Sequence, residues 1–325
     1  MRIRDALPAT PSAGTALARL LCLSLIVLSA SCVPITERPR AQAGTTGVNA
    51  FYESGTDVRG HLEKRWNEST IECGSATAPA FVCSGILIRG TSYSADFHAW
   101  DINPTSPKTP GVSFSWLRHD SQHVRLAYHY STGFILYPKK YATDHGFASE
   151  INILCAFPID GDTDTRNSKG CGASRYFPTA SAPCQDQSPS ITTAAAWRTH
   201  FDRNQTPERF RNECGFNVAK GTANSARIFN KTLIARTGLP LVNLGGNASE
   251  LIVDGWPNDR TGSLPIEAFF YIVGTNGKSA AQSIQKDYKA TTGRWVAIIA
   301  ITLPSAQTGP VSFAYSASDQ GTPSP

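Results

Sequence analysis

The sequence predicts an α+β fold with mostly antiparallel pairing, and three observations carry that expectation. Strand-like runs come in a block before the main helical zone instead of alternating regularly with helices, which argues against a doubly wound parallel sheet. At 325 residues, 41% hydrophobic and 17% charged, the chain has apolar material for one large core. Each apolar run is short and closes on Gly, Pro, Asp or Asn, the punctuation expected of sheet strands.

The chain opens on a targeting segment. Arg2 and Arg4 charge it positively, and Arg19 stands before an apolar run over residues 20–30. That run is too short to span a bilayer and suits a secretory leader. Ser29, Ala30 and Ser31 then precede Cys32, a candidate lipid-attachment site, and Ala41-Gln42-Ala43 is a second candidate cleavage point. Residues 1–32 thus read as a signal peptide and 33–48 as a polar linker. Residues 49–304 read as a single catalytic domain, and 305–325 as a tail, frayed after Tyr315. A secreted or cell-envelope location follows, with membrane contact only through a lipid on Cys32.

Within the domain, a helix is expected over 49–67 and strands over 80–89, 111–117, 133–137 and 151–159. A loop rich in Asp, Gly, Ser and Pro covers 161–182. The helical zone 192–236 has 194–201 and 223–235 as its stronger pieces and reads as an insertion. Strands return at 250–255, 266–274 and 294–303, with a helix over 280–291.

Of the 8 cysteines, Cys22 and Cys32 lie in the signal region. The other six, an even set in an exported chain, point to disulfides. They allow about 15 pairings, among which sequence does not choose; the working guess is neighbour pairing, Cys73–Cys83, Cys155–Cys171 and Cys184–Cys214. No CxxC pair suggests zinc. His119, His123 and His129 sit in mixed strand and loop context and read as solvated, so no metal site is expected. The formal charge of +5 comes without any long Lys/Arg run, so nucleic acid is not an expected partner.

The chemistry concentrates between residues 81 and 115. An apolar strand ends in Arg89-Gly90, and the next strand opens with Ser113-Phe114-Ser115. Arginine offers a rigid donor fork that matches a phosphate oxygen pair. Glycine lets a ligand approach the backbone. Two serines one residue apart point the same way on a strand. Two later glutamates each precede a strand, Glu150 and Glu250.

Segments 80–91, 111–118, 153–166 and 264–271, with His98-Ala99-Trp100-Asp101, resemble the halovibrin-like secreted proteins over roughly residues 62–304. That family is described as exported bacterial ADP-ribosyltransferases or NAD glycohydrolases. At a deeper level the order arginine, Ser-x-Ser, glutamate resembles the Arg–Ser–Glu class of ADP-ribosyltransferase toxins. The resemblance implies an ADP-ribosyltransferase-like fold and NAD as substrate. Arg89, with Gly90, would hold the diphosphate, and Ser113 and Ser115 would support the nicotinamide-ribose end. The class carries Thr between its serines, where this chain has Phe114, whose side chain points to the other face. Glu250 is the first choice for the catalytic carboxylate and Glu150 the second. The class places Glu or Gln two residues ahead of that carboxylate when a protein or nucleic-acid side chain is the acceptor. Here Ala248 and Ala148 stand there, which favours water over a protein acceptor.

Two other classes stay open. One is a disulfide-stapled secreted binding module without chemistry. The other is a cysteine hydrolase or deamidase using Cys83, His98 and Asp101, against which the even cysteine count makes Cys83 a disulfide partner.

Overall fold

A computed structural model describes residues 52–70, 83–93, 98–100, 112–121, 129–138, 152–159, 183–186, 188–204, 214–218, 223–235, 248–254, 264–304 and 310–325, with isolated residues between. All fall in one unit, residues 43–325. The signal segment, Asp101 and Glu150 lie outside the described residues.

Ser54 starts the first helix, α1 (Gly55–Trp66), by accepting a hydrogen bond from the Asp57 N–H at 3.2 Å. Val58, Leu62 and Trp66 recur every four residues and form its buried stripe. Its last turn docks on the sheet, where the Gly85 N–H donates to the Arg65 carbonyl at 3.0 Å. Four strands follow: β1 (Ile86–Gly90), β2 (Val112–Leu117), β3 (Thr132–Leu136) and β4 (Asn152–Phe157). The helical zone is α2 (Ala194–Asn204) and α3 (Ala223–Ala235) around a two-residue strand, β5 (Phe216–Asn217). Then come β6 (Glu250–Asp254), β7 (Ile266–Ile272), α4 (Gly277–Thr292), β8 (Ile298–Thr302) and β9 (Ser312–Ala314). Gly293 ends α4 in the left-handed conformation, φ 73°, that closes helices without a Cβ penalty.

These strands form one nine-stranded sheet in the order β5-β4-β6-β2-β1-β3-β7-β8-β9. Its only parallel pair among the described residues is β7–β8, and α4 makes that crossover. β4 and β6 are antiparallel neighbours, so the helical zone is an excursion between adjacent strands, as expected of an insertion. Period-two alternation divides the apolar side chains between two faces. One face packs Leu87, Phe114, Trp116, Phe134, Leu251 and Phe269 against α2, α3 and α4, through Trp197, Phe229, Ile284 and Tyr288. The other packs Ile86, Ile88, Ile135, Phe270 and Ile299 under α1.

The six cysteines pair as neighbours: Cys73–Cys83, Cys155–Cys171 and Cys184–Cys214. The loops they close span 10, 16 and 30 residues. In the chain-entropy account such loops are each worth roughly 3 kcal/mol. Among the described residues no helix is long and apolar enough to cross a membrane.

The expected fraying after Tyr315 does not occur. The side-chain amide of Gln320 donates to the Ile298 carbonyl at 3.0 Å and accepts from the Ile298 N–H at 2.8 Å, as a neighbouring strand would. Buried Gln285 of α4 accepts from the Gly321 and Thr322 N–H groups at 2.7 and 3.1 Å. Asp319 takes the Tyr271 hydroxyl at 2.6 Å and the Lys278 ammonium. Polar side chains hold this segment, which is why its composition reads as loose.

Two outcomes follow. Alkylation of the native, unreduced protein should label none of the six cysteines, as mass spectrometry would show. The second concerns Asp319. Burial alone would push its carboxyl up, but the hydrogen bonds from Lys278 and Tyr271 overcome this and hold it below its ordinary value of 3.8. A carboxyl lowered on folding lends its stability in full above the unfolded value and loses it as pH falls through the folded one. Asp319→Asn should therefore cost roughly 1 kcal/mol at pH 7, reduced by its partial exposure. The cost should shrink as pH falls below the ordinary carboxylate value. Paired melting curves at pH 7 and pH 3 check this; an equal deficit at both would refute it.

Candidate functional site

Strand β2 changes partners halfway along. Its C-terminal half pairs with β1, with Ile86 opposite Leu117 and Ile88 opposite Ser115. Its N-terminal half pairs with β6, with Val112 opposite Val253 and Phe114 opposite Leu251. Continuing the β1 ladder by one rung would set Gly90 against Ser113. That rung is missing. The Arg89 guanidinium instead donates to the Ser113 carbonyl at 2.7 Å. On the other side, continuing the β6 ladder would set Ser249 against Trp116. There the Ser249 hydroxyl accepts from the Trp116 N–H and donates to its carbonyl, both at 3.1 Å. Side chains thus satisfy the backbone groups that the exchange of ladders leaves over.

At this exchange the Ser113 hydroxyl donates to Glu250 Oε1 at 2.5 Å. Arg89, Ser113 and Glu250, 161 residues apart from first to last (250 − 89), therefore form one hydrogen-bonded chain across β1, β2 and β6. Glu250 is 3% exposed and Ser115 is 9% exposed. Ser113 and Ser115 share a sheet face, as the period of two predicts, and the register of β6 on β2 puts Glu250 on the same face. Arg89 does not share it: it lies in step with Phe114 and opposite Phe134, on the face covered by α4. It joins the cluster through a backbone carbonyl, so the trio straddles the sheet where β1 and β2 part.

Gly90 answers to a neighbour inside the fold. A Cβ there would lie 2.4 Å from Cβ of Tyr130, so Tyr130 fills the space that the sequence reading left for a ligand. A cavity of about 500 Å³ begins next to it, walled by residues 91–93 and 129–132, by Asn276 just ahead of α4, and by Ser279 and Ser283 of α4. Arg89, Ser113, Ser115 and Glu250 do not line it. It lies on the α4 side of the sheet, the side from which Arg89 projects.

The cysteine-hydrolase set does not assemble. The Cys83 sulfur is bonded to Cys73 and is no thiolate nucleophile. His98 Nδ1 meets the Asp287 carboxylate at 2.8 Å and stacks on Trp100, centroids 4.9 Å apart. Trp100 is buried and donates its indole N–H to the same carboxylate at 2.7 Å. These residues anchor their loop to α4. His119 meets the Trp66 carbonyl through Nδ1 at 2.9 Å.

The sequence reading missed Ser249, although its tripeptide Ala248-Ser249-Glu250 stands out by recurring as Ala148–Glu150. Ser249→Ala would leave the N–H and carbonyl of buried Trp116 without this partner, at a cost of about 1–3 kcal/mol. Chemical denaturation should show a lower midpoint with an unchanged slope; an unchanged midpoint would mean that the hydroxyl does not hold the exchange of ladders together.

No protein-family model, no curated protein and no solved structure matches this chain, so its functional reading rests on the residues themselves.

Proposed function

We propose that this protein is an exported enzyme that breaks the nicotinamide–ribose bond of NAD, with an ADP-ribosyltransferase-like fold and water as its main acceptor. The observation that carries the reading is the hydrogen-bonded chain Arg89–Ser113–Glu250 at the parting of β1 and β2. Three residues chosen for their chemical order along the sequence meet within one cluster. Glu150 lies outside the described residues, so the geometry supports only Glu250.

Heterolysis of the bond between ribose C1′ and the pyridinium nitrogen gives neutral nicotinamide and an oxocarbenium-like ribose, as in glycoside cleavage. The leaving group takes the bonding pair and needs no proton. The Glu250 carboxylate, held by the Ser113 hydroxyl, stabilises the positive charge at C1′. Water adds to C1′ and releases one proton, giving ADP-ribose. Arg89 neutralises the diphosphate. The cavity lies on the Arg89 side of the sheet and Glu250 on the other, so one dinucleotide meets both groups only across the gap where β1 and β2 part. Ala248, wholly buried, presents no group to a protein acceptor. Three disulfides accord with an oxidising compartment.

Nicotinamide release from NAD tests the reading. Glu250→Gln keeps the shape but removes the charge, and should lower kcat by on the order of a hundredfold or more with KM changed much less. Arg89→Lys replaces a fork with a point charge and should chiefly raise KM. Glu150→Gln should be as active as wild type. If Glu150→Gln is dead and Glu250→Gln active, the catalytic role moves to Glu150. Wild type that releases no nicotinamide would leave the stapled binding module as the better reading.

A further inference from the structure

A second cluster of ionisable groups lies between α1 and the sheet, independent of the NAD reading. Glu267 is the extra residue of a β-bulge. Its neighbours Ile266 and Ala268 face Leu136 and Ile135 on β3, and Glu267 itself faces none. Bulges re-aim side chains, and this one carries a carboxylate that is fully buried. Arg65 of α1 binds its Oε2. No described residue donates to its Oε1. Glu53, just ahead of α1, is arranged alike. Its Oε2 accepts the Tyr137 hydroxyl at 2.6 Å, while Oε1 meets Nδ1 of His61 at 2.9 Å. Each carboxylate is thus oriented through its Oε2, with Oε1 of Glu53 against His61 and Oε1 of Glu267 beside them. One ligand atom from each of Glu53, His61 and Glu267 lies within 4.8 Å of the others.

We infer that Glu53, His61 and Glu267 bind one divalent transition-metal cation of the zinc type. Donors on one tetrahedral zinc lie about 3.3 Å apart, from bond lengths near 2.0–2.1 Å. The half-exposed His61 ring closes the remaining gap by a small rotation. Two carboxylates face one guanidinium here, so a divalent cation meets charge of the right sign. An imidazole donor selects zinc-like ions over calcium and magnesium, which take oxygen. The Tyr137 hydroxyl and the Arg65 guanidinium act as the outer partners that orient liganding carboxylates. Three protein ligands leave a fourth position for water. The ion would pin the start of α1 to β7. Residues 53, 61 and 267 show none of the short spacings by which metal motifs are recognised in sequence.

The test is calorimetric titration of the full chain, without a histidine tag and after chelator dialysis, with zinc, calcium and magnesium chlorides. Wild type should take up one zinc per chain and show no heat with the other two. His61→Ala and Glu53→Gln should each weaken zinc binding at least about tenfold while keeping the wild-type circular dichroism spectrum. Zinc should raise the Tm of wild type and leave that of His61→Ala unmoved. No zinc uptake by wild type would reduce the cluster to an ion-pair network and overturn the inference. So would equal affinity in wild type and His61→Ala, or equal binding of calcium.

Discussion

The Ser113 carbonyl is the group around which the candidate site is organised. A backbone carbonyl inside a sheet must find a donor, because burying it unpaired costs free energy comparable to a lost hydrogen bond. On β2 the ladder donor is missing, because β1 pairs no further than Ile88. Arg89 supplies one from its side chain. The side chain most suited to gripping a phosphate is thereby tethered beside the strand carrying Ser113, and Ser113 in turn holds Glu250. Remove the parting of β1 from β2 and Arg89 has no reason to be near the carboxylate. Ser249 resolves the opposite side of the exchange in the same way, which keeps Glu250 at a fixed register against Phe157 on β4.

That exchange survives only on a rigid support, and the two faces of the sheet supply it differently. The α4 face is aromatic and broad: Phe114 meets Phe134 edge-on at 5.8 Å, and Phe269 meets Tyr288 at 5.4 Å. Such pairs add about 0.5–1.5 kcal/mol beyond the area they bury. The α1 face is narrower and mixes aliphatic residues with Trp66, Phe270, Trp295 and Phe313. At the β8 edge of the sheet the C-terminal segment fastens α4 to β8 through Gln285 and Gln320, whose amides serve as both donor and acceptor for buried backbone groups. Tyr271 reports how tight this edge is: burial first, then its bond to Asp319, pushes its hydroxyl up to about 12.

What the sequence disclosed and what it hid divide along physical lines. The long strands and helices were legible because apolar period and breakers mark them locally. β7, α4 and β8 fall within a few residues of where periodicity puts them. The disulfide pairs were guessable because short loops close at small entropic cost. β5 and β9, two and three residues long, carry no period to read. The docked C-terminus was hidden because glutamine and aspartate bonds hold it, and composition counts those residues as solvated. The shared face of Ser113 and Ser115 was legible from alternation, whereas Glu250 joins it only through the register of β6 on β2. The opposite face of Arg89 was not, because register depends on which rungs pair, and the rung at Ser113 is absent. Glu267 was hidden for a related reason: an alternating strand gives no sign that a bulge will turn one of its carboxylates inward.

Comparing the two buried carboxylates sharpens the case for Glu250. Burial drives the Glu267 carboxyl up, and Arg65 pulls it back by charge and hydrogen bond. A buried acid partnered by a cation has part of its charge offset, and removing either partner strands the other. Glu250 is also buried, and the Ser113 hydroxyl donates to its Oε1 at 2.5 Å. A hydroxyl that donates to a carboxylate oxygen fixes the orientation of the group. Such a group favours positive charge that develops close to it, and favours it most where water is excluded. A ribose cation lasting only through bond cleavage suits that environment. In NAD the positive charge sits on the pyridinium nitrogen, one bond from C1′, and a carboxylate accelerates cleavage only by as much as it favours the shift of that charge onto the ribose.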